Sequence, residues 1–449
     1  MKKIAIIGAG LTGLTTAFYL KKNNIDITVF ESNHHIGGVI HTEKKDGFIW
    51  EKGPSTGVLG KPEAMELFED LDALDILETA PSLAGKRYIW KGNKLHPLPG
   101  DPISGLLTPL FSWKDKLGIL FEPFRPKAKN PDENLSSFVR RRLGESILQY
   151  AVDPFVSGVY AGSPDTIIPR YALPKLYNLE ATYGSFIRGT IHKMKEPKTP
   201  RDLKATKKIF SAKDGLSTLI NRLTLSIGEK HIKTDCKDVI VTKEEQGFSV
   251  SYTGSDAIHF DEVIFTGNAK GILKTFPFLQ NKGLDAISKV RYTAVAEVAV
   301  GFKKWEGFPL DGFGALIPSK EGKRILGVLF MSSLFKNRAP SGGAMLSVFV
   351  GGERHPEYVS LSDKELKALV QEELTTILSI PNFNPTVFEI SRHLEAIPQY
   401  DLLTPDRINA FKKAEENYPG LHLAGNGIGG IGMADRIKQG KELFLSIIS

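Results

Sequence analysis

Apolar residues in the first 31 positions fall into three blocks with different periods. Lys3-Ile4-Ala5-Ile6-Ile7 is a continuous run of strand length, Leu14 to Leu20 carries apolar residues at helical spacing, and Ile27-Thr28-Val29-Phe30 is a second strand-like run. Gly8-Ala9-Gly10-Leu11-Thr12-Gly13 links the first strand to the helix, and Glu31 closes the second strand. Strand, glycine-rich turn, helix, strand and acid, in that order, predict a dinucleotide-binding βαβ unit. Gly8 permits a tight turn, Gly10 lets the backbone approach a pyrophosphate, and Gly13 lets helix and strand pack closely. The helix starting near Leu11 points free N–H groups and its positive end at that pyrophosphate. Glu31, about 20 residues past the turn, is placed for the ribose hydroxyls.

Further along, Pro62 opens an amphipathic pattern with Met65, Phe68, Leu71 and Leu74 among its apolar positions. Lys86 to Trp90 reads as a strand turned by Gly92-Asn93. From Leu95 to Phe124 the chain is proline-rich and apolar, which fits either a helical subdomain or a membrane-contacting surface. Asn134 to Tyr150 is a helical pattern whose polar face carries Arg140, Arg141 and Arg142. Residues 188–213 are basic with few apolar positions, as in a mobile surface loop or an anionic-lipid contact. A helix is expected from Asp214 to about Leu225, then strands at Asp238–Val241, Phe248–Tyr252 and Val263–Thr266, so the nucleotide domain resumes after a large insertion. Ala294–Phe302, Gly312–Ile317, Arg324–Met331 and Ala344–Val350 suggest an antiparallel sheet forming a second domain. Ser362-Asp363-Lys364-Glu365 is a capping box for a helix with Leu366, Leu369, Leu374 and Leu378 on its apolar face.

The last glycine cluster, Gly425-Asn426-Gly427-Ile428-Gly429-Gly430-Ile431-Gly432, again follows a strand and precedes a helix. Too little chain follows for another strand and acid, so it does not complete a second nucleotide unit. A helix N-terminus facing the redox ring of the cofactor is the better reading, its partial positive charge stabilising negative charge that develops there.

Composition narrows the class. The 449 residues are 41% hydrophobic and can bury two or three cores. Net charge is +7 with a sequence pI of about 9.1, which fits an anionic substrate or an acidic membrane surface, and no aromatic-basic module of a nucleic-acid binder is present. Cys236 is the single cysteine, which excludes internal disulfides, argues against a thiol-ligated metal and fits a reducing cytoplasm. The N-terminus enters a strand at once, with no signal peptide, and no run approaches the ~20 apolar residues of a membrane span. The expected protein is cytoplasmic, soluble or peripheral at the inner face of a membrane, with a homodimer open.

After Glu31 comes Gly37-Gly38, and then Gly53-Pro54-Ser55. This continuation resembles the flavin-containing amine oxidase superfamily, in which an acid, an arginine and a glycine pair carry on the wrap around FAD; here His35 stands in the arginine position. Asp153-Pro154-Phe155-Val156-Ser157-Gly158-Val159-Tyr160-Ala161-Gly162-Ser163-Pro164 resembles the signature of the oxygen-dependent protoporphyrinogen oxidases within that superfamily, and so do Leu326 to Pro340, Phe349-Val350-Gly351-Gly352, Ala396 to Tyr400 and Ala424-Gly425-Asn426. The resemblance implies an α/β fold of three parts. These are an FAD-binding Rossmann-type domain (1–80, 210–290 and 385–449), an antiparallel-sheet substrate domain (81–95 and 291–384), and an inserted helical, membrane-contacting domain (96–209). It also implies noncovalent FAD held by Gly8 to Gly13, Glu31, Gly37, Gly38, Gly53, Pro54, Ser55, Val239, Gly425, Asn426, Ile431, Gly432 and Met433.

Substrate positions follow from the same resemblance: Arg87 on a propionate, Leu316, Leu329 and Phe349 around a tetrapyrrole, and Gly162 where a side chain would intrude near the flavin. Read from the residues alone, Arg87 is a surface cation, the three apolar residues are sheet core and Gly162 serves a turn. No His/Asp or paired-carboxylate constellation stands out as catalytic, and no metal site is expected. The implied reaction is FAD-dependent oxidation of protoporphyrinogen IX to protoporphyrin IX, with O2 reoxidising the flavin. Oxidation of coproporphyrinogen III is the nearest alternative, to which Ile431 to Asp435 and Lys438 to Lys441 lean; another amine-oxidase-like flavoenzyme, or a carrier without turnover, is more distant.

Overall fold

The computed structural model describes residues 2–449. A five-stranded parallel sheet runs in the spatial order Ile232–Lys233, Asp26–Phe30, Lys3–Ile7, Glu262–Phe265, Leu421–Leu423. Its strands are apolar at consecutive positions because both faces are covered: Ile4 and Ile6 enter one core, Ala5 and Ile7 the other. Helix Leu11–Lys22 crosses the C-terminal helix Met433–Ile448 at close range, where Thr16 Oγ1 donates to the Gly440 carbonyl (3.1 Å) and a Cβ on Gly440 would lie 2.7 Å from the Thr12 carbonyl oxygen. The chain returns to this sheet from beyond residue 230, as an interrupted nucleotide domain requires.

A seven-stranded sheet forms the second layer, in the order Val387–Pro398, Tyr292–Phe302, Ala344–Gly351, Ile325–Phe330, Gly314–Leu316, Arg87–Lys91, Lys94–Pro97. It departs from the sequence expectation twice. It is mixed rather than purely antiparallel, since Gly314–Leu316 runs parallel to Arg87–Ile89. Its edge strand is Val387–Pro398, a stretch expected in the nucleotide domain. That strand carries Glu389, Arg392, His393 and Glu395 among its apolar residues, the composition of a solvent-facing edge, which hid its period. One sheet face (Tyr88, Ala315, Val328, Val348, Val298) is sealed by helix Asp363–Ile377, which the Ser362/Glu365 capping box starts.

Residues 102–195 form the helical part, with a core of Leu135, Phe138, Val139, Leu148, Val156, Tyr160 and Phe186. Four expectations are corrected. Helix Pro62–Asp70 stops before Leu71, and Leu74 is exposed. The pattern from Asn134 breaks at Gly144 (φ +97°), giving helix Leu135–Arg142 and later turns. The basic segment is partly ordered: helix Phe186–Lys195 occupies its start, and Arg201 and Lys204 pair with Glu63, Glu66 and Glu69. Arg142 is not on a polar face. It is fully buried between Glu122 (3.0 Å) and Glu180, while Glu122 also accepts from the Phe186 N–H (2.9 Å) at the start of the last helix. A helical period alone cannot show that a cation's partners come from remote segments.

Removing one partner of a buried charge cluster leaves the others uncompensated. Arg142→Ala is therefore expected to destabilise the helical part by about 3–5 kcal/mol, read as an earlier melting transition; co-melting with the wild type would contradict this account of the cluster.

Candidate dinucleotide and substrate site

The first glycine turn has the geometry its sequence demands. Gly8 sits at φ +108°, and a Cβ on Gly13 would lie 2.1 Å from the Gly8 carbonyl oxygen, so neither tolerates a side chain. A Cβ on Gly10 meets nothing within 4 Å: that space is open rather than filled by protein. Helix Leu11–Lys22 starts beside it with no side-chain cap and no acid in its first turn, leaving its first N–H groups for an anion. Glu31 is buried and braces the turn, Oε2 accepting from the Ala9 N–H (2.8 Å) and Oε1 from the Asn33 N–H (2.9 Å). A carboxylate has about four acceptor directions, so Oε2, with one protein donor, keeps acceptor capacity.

Two more loops close on the same spot. Gly37 bridges Gly10 and donates its N–H to the Ala9 carbonyl (2.9 Å), and a Cβ on Gly38 would lie 3.2 Å from the Gly10 Cα. Gly53 packs on the Val39 carbonyl so closely that a Cβ would be 1.9 Å from its oxygen, which carries Pro54 and Ser55 to the same rim. The Cys236 N–H donates to the Glu31 carbonyl (2.9 Å) and brings half-buried Val239 into the cluster around Phe30. His35, in the arginine position, is exposed, lies 3.0 Å from the Gly38 carbonyl and meets the His41 ring edge-on (5.2 Å between centroids); exposed His34 lies 3.1 Å from Asp235.

The C-terminal turn is held by residues that spacing did not flag. Gly425 (φ +109°) donates to Gln439 Oε1 (3.0 Å), Gly430 donates to the Tyr400 hydroxyl (2.9 Å), the Tyr292 hydroxyl donates to Asn426 Oδ1 (3.1 Å), and Arg436 donates to the Ile428 carbonyl (3.0 Å). Ile431 packs against the helical core, Gly432 caps the helix, and Met433 is buried. The helix N-terminus expected to face the redox ring carries an acid in its first turn. Asp435 Oδ2 accepts from the Gly432 N–H (3.3 Å) and its other oxygen lies 3.5 Å from Lys61 Nζ, so a carboxylate already answers part of the helix dipole.

On the second sheet, strand register collects the predicted substrate residues on one face. Leu316 and Phe349 both pair with Gly327, and one row along, Gly314 pairs with Arg87 and Leu329. Leu316, Leu329 and Phe349 are only half-buried, whereas Ala315, Val328 and Val348 on the opposite face are buried. Arg87 is exposed, its guanidinium 5.4 Å from the Phe313 ring. Helix Asp153–Tyr160 crosses this face, and a Cβ on Gly158 would lie 2.4 Å from Leu316 Cδ2. Gly162 is placed differently from the expectation: the space a Cβ would take is occupied by the Gln399 amide, 2.3 Å away, so its smallness serves protein packing.

Glu297, which the sequence did not single out, lies on that same face opposite Phe349. It is buried, and Ser55 Oγ donates to its Oε1 (2.7 Å), joining the 53–55 loop to the second sheet. Burial, aided by the neighbouring Glu51 charge, pushes its carboxyl up to about 8, and the Ser55 and Ser347 hydroxyls pull it back only in part. A buried acid on an alternating strand gives no periodic signal, because the sequence shows only Glu where the pattern wants an apolar residue. Among the described residues no cluster of His, Cys, Asp and Glu could hold a metal, and no helix is long and apolar enough to cross a membrane.

Together, a glycine-cradled dinucleotide site and a sheet face left half-covered define a flavoenzyme built of two main sheets and a helical part. The sequence matches the flavin containing amine oxidoreductase family over residues 11–442, and the chain belongs to that family. It is 31% identical to protoporphyrinogen oxidase 2 of Arabidopsis thaliana (100% of this chain, 94% of that protein) and 28% identical to coproporphyrinogen III oxidase of Bacillus subtilis (98% and 96%). Among solved structures, one described as a protoporphyrinogen oxidase from Exiguobacterium sp. 255-15 superposes with a TM-score of 0.84 at 24% identity (99% and 98%), and reduced UDP-galactopyranose mutase with 0.76 at 15% (100% and 96%). The fold is thus the amine-oxidase fold, with a parallel Rossmann-like sheet and a mixed second sheet.

Two outcomes are expected. Gly10→Val fills only open space within the protein, so it leaves a folded chain that purifies without flavin; normal flavin content would displace the cofactor from this turn. For Glu297, the folded state keeps a proton that the unfolded chain, titrating near 4.5, has lost, so this group's stabilisation falls as pH rises from there through about 8. Glu297→Gln is expected to flatten the decline of melting temperature across that window, and an unchanged slope would show the carboxyl is ionised when folded.

Proposed function

We propose that this chain is a porphyrinogen oxidase acting on protoporphyrinogen IX, with O2 as the electron acceptor. The observation that carries the reading is the half-buried apolar sheet face of Leu316, Leu329 and Phe349, which has a cation at one end and the flavin-side loop at the other. Full-length similarity to protoporphyrinogen oxidases supports it.

Bound FAD supplies a two-electron acceptor, held noncovalently by Gly8 to Gly13, Glu31, Gly37, Gly38, Gly53 to Ser55, Val239, Gly425, Asn426 and Ile431 to Met433. The chain's own residues supply position. Leu316, Leu329 and Phe349 offer a flat apolar bed that excludes water, and helix Asp153–Tyr160 limits the slot from the other side. Arg87 grips a propionate with two parallel hydrogen bonds, which fixes the direction of an otherwise rotatable disc. Bringing a meso C–H against the acceptor in a fixed orientation is the main catalytic contribution.

Coproporphyrinogen III is the second reading, favoured by the full-length relative from Bacillus subtilis. The lysines that leaned toward it are engaged elsewhere: Lys438 pairs with Glu442 (2.6 Å), and Lys441 with Glu66 (2.9 Å) and Asp70 (3.5 Å). They are not free for extra carboxylates. Purified protein given each porphyrinogen in turn, with porphyrin fluorescence followed above the nonenzymatic rate, decides between them. A protein inert to both would end the proposal.

Arg87→Ala is expected to raise KM about tenfold, the lower end for a charge-assisted pair because the residue is exposed. Flavin content stays normal and Arg87→Lys recovers part of the loss; an unchanged KM would remove Arg87 from the site. Membrane contact is proposed through Ile103, Leu107, Trp113, Leu120 and Phe124, which are more than 60% exposed on the helical part. Salt-reversible sedimentation with anionic liposomes is expected, and no binding at low ionic strength would exclude it.

A further inference from the structure

Helix Asp153–Tyr160, the far wall of the substrate slot, rests on the sheet where Gly158 meets Leu316. What holds that contact lies directly behind it. Arg354 donates from Nη2 to Ser157 Oγ (3.1 Å), and from both Nη1 and Nη2 to the Ile317 carbonyl (3.1 Å each). Ser157 precedes Gly158 and Ile317 follows Leu316, so one guanidinium bridges the neighbours of the two residues in contact. A planar, rigid fork fixes their spacing more tightly than a flexible ammonium would.

The remaining fastenings come from the sheet strands themselves. Beyond Ile317, Ser319 donates from its N–H (2.7 Å) and its hydroxyl (2.6 Å) to the two carboxyl oxygens of Asp153 at the helix start. The strand of Phe349 ends at Gly351, and the Glu353 N–H then donates to the Ala161 carbonyl (2.7 Å) just past the helix end. Gly352 (φ +69°) permits that approach, since a Cβ there would lie 2.6 Å from the same oxygen. Arg354 follows at once. It reaches the helix from the strand of Phe349 while it holds the strand of Leu316.

We propose that Arg354 is a positioning residue that sets the height of the substrate slot, and so the fit of a tetrapyrrole between helix and sheet. This rests on the porphyrinogen reading given above. Stability alone accounts poorly for an arginine here. Its side chain is only 13% exposed, and its one carboxylate, Asp153, stands 3.6 Å away and is already engaged by Ser319. Burial lowers the proton affinity of the guanidinium, and the Asp153 charge restores only part of it. A well-packed apolar side chain would hold helix to sheet without that penalty, but it would not fix their separation.

Arg354→Met, close in volume and uncharged, keeps the packing and removes the bridge. As flavin-loaded protein it is titrated with protoporphyrin, followed by fluorescence, and assayed with protoporphyrinogen. The product Kd and the substrate KM are each expected to rise about tenfold, with a smaller change in kcat. FAD content and the reoxidation of reduced flavin by O2 stay as in the wild type, and Arg354→Lys recovers part of the loss. Gly158→Ala disturbs the same contact without touching the guanidinium, because its methyl would stand 2.4 Å from Leu316 Cδ2. It is expected to weaken binding in the same direction and to combine with Arg354→Met less than additively. Unchanged Kd and KM in Arg354→Met overturn the inference. So does a variant that loses FAD along with affinity, which would make Arg354 a general brace, and so does strict additivity with Gly158→Ala. A wild type that binds no porphyrin and oxidises no porphyrinogen overturns the functional reading and this inference with it, an outcome distinct from an active wild type with an indifferent variant.

Discussion

Everything in this molecule depends on how closely three backbone stretches approach at Gly10. The turn 8–13, the pair Gly37-Gly38 and the loop 53–55 are stacked so that a Cβ on Gly13, Gly38 or Gly53 meets backbone between 1.9 and 3.2 Å away. Only Gly10 itself faces open space. The glycines therefore do two separate jobs: most let protein meet protein, and Gly10 keeps the space beside the helix N-terminus open. The stack also fixes where Ser55 emerges, and through Ser55 it fixes the second sheet at Glu297. The glycine stack and the half-covered sheet face are thus mechanically linked, although their strands belong to different sheets.

That arrangement explains how a sheet can keep large apolar residues half-covered. Leu316, Leu329 and Phe349 stay half-buried because the reverse face, from Tyr88 to Val298, is packed against helix Asp363–Ile377 and supplies the burial that stability requires. A face freed from structural duty can be shaped for a ligand. Gly158 shows the limit of that freedom. Its missing side chain lets helix Asp153–Tyr160 pack directly on Leu316, where a Cβ would lie 2.4 Å from Cδ2.

What the sequence made legible was local. Lys3–Ile7, helix Leu11–Lys22 and Asp26–Phe30 could be placed because period, glycines and acid agree over a short span. The hairpin at Gly92-Asn93 and the Ser362/Glu365 cap were equally readable for the same reason. Failures came where meaning depends on remote partners. Arg142 reads as one of three surface arginines until Glu122 and Glu180 arrive from 20 and 38 residues away. Val387–Pro398 reads as polar because half of an edge strand faces solvent.

Glu297 belongs with these failures and also shows what they have in common. A carboxyl on an otherwise apolar strand costs stability unless something holds it, and Ser55 supplies a single hydroxyl where a salt bridge would be the usual answer. Had stability alone shaped this position, valine or alanine, its neighbours on either side, would serve better. The acid sits where the 53–55 loop meets the second sheet, and its hydrogen bond to Ser55 ties the two together. The stability lost by burying the carboxyl is offset in part by this link, which orders the junction between loop and sheet.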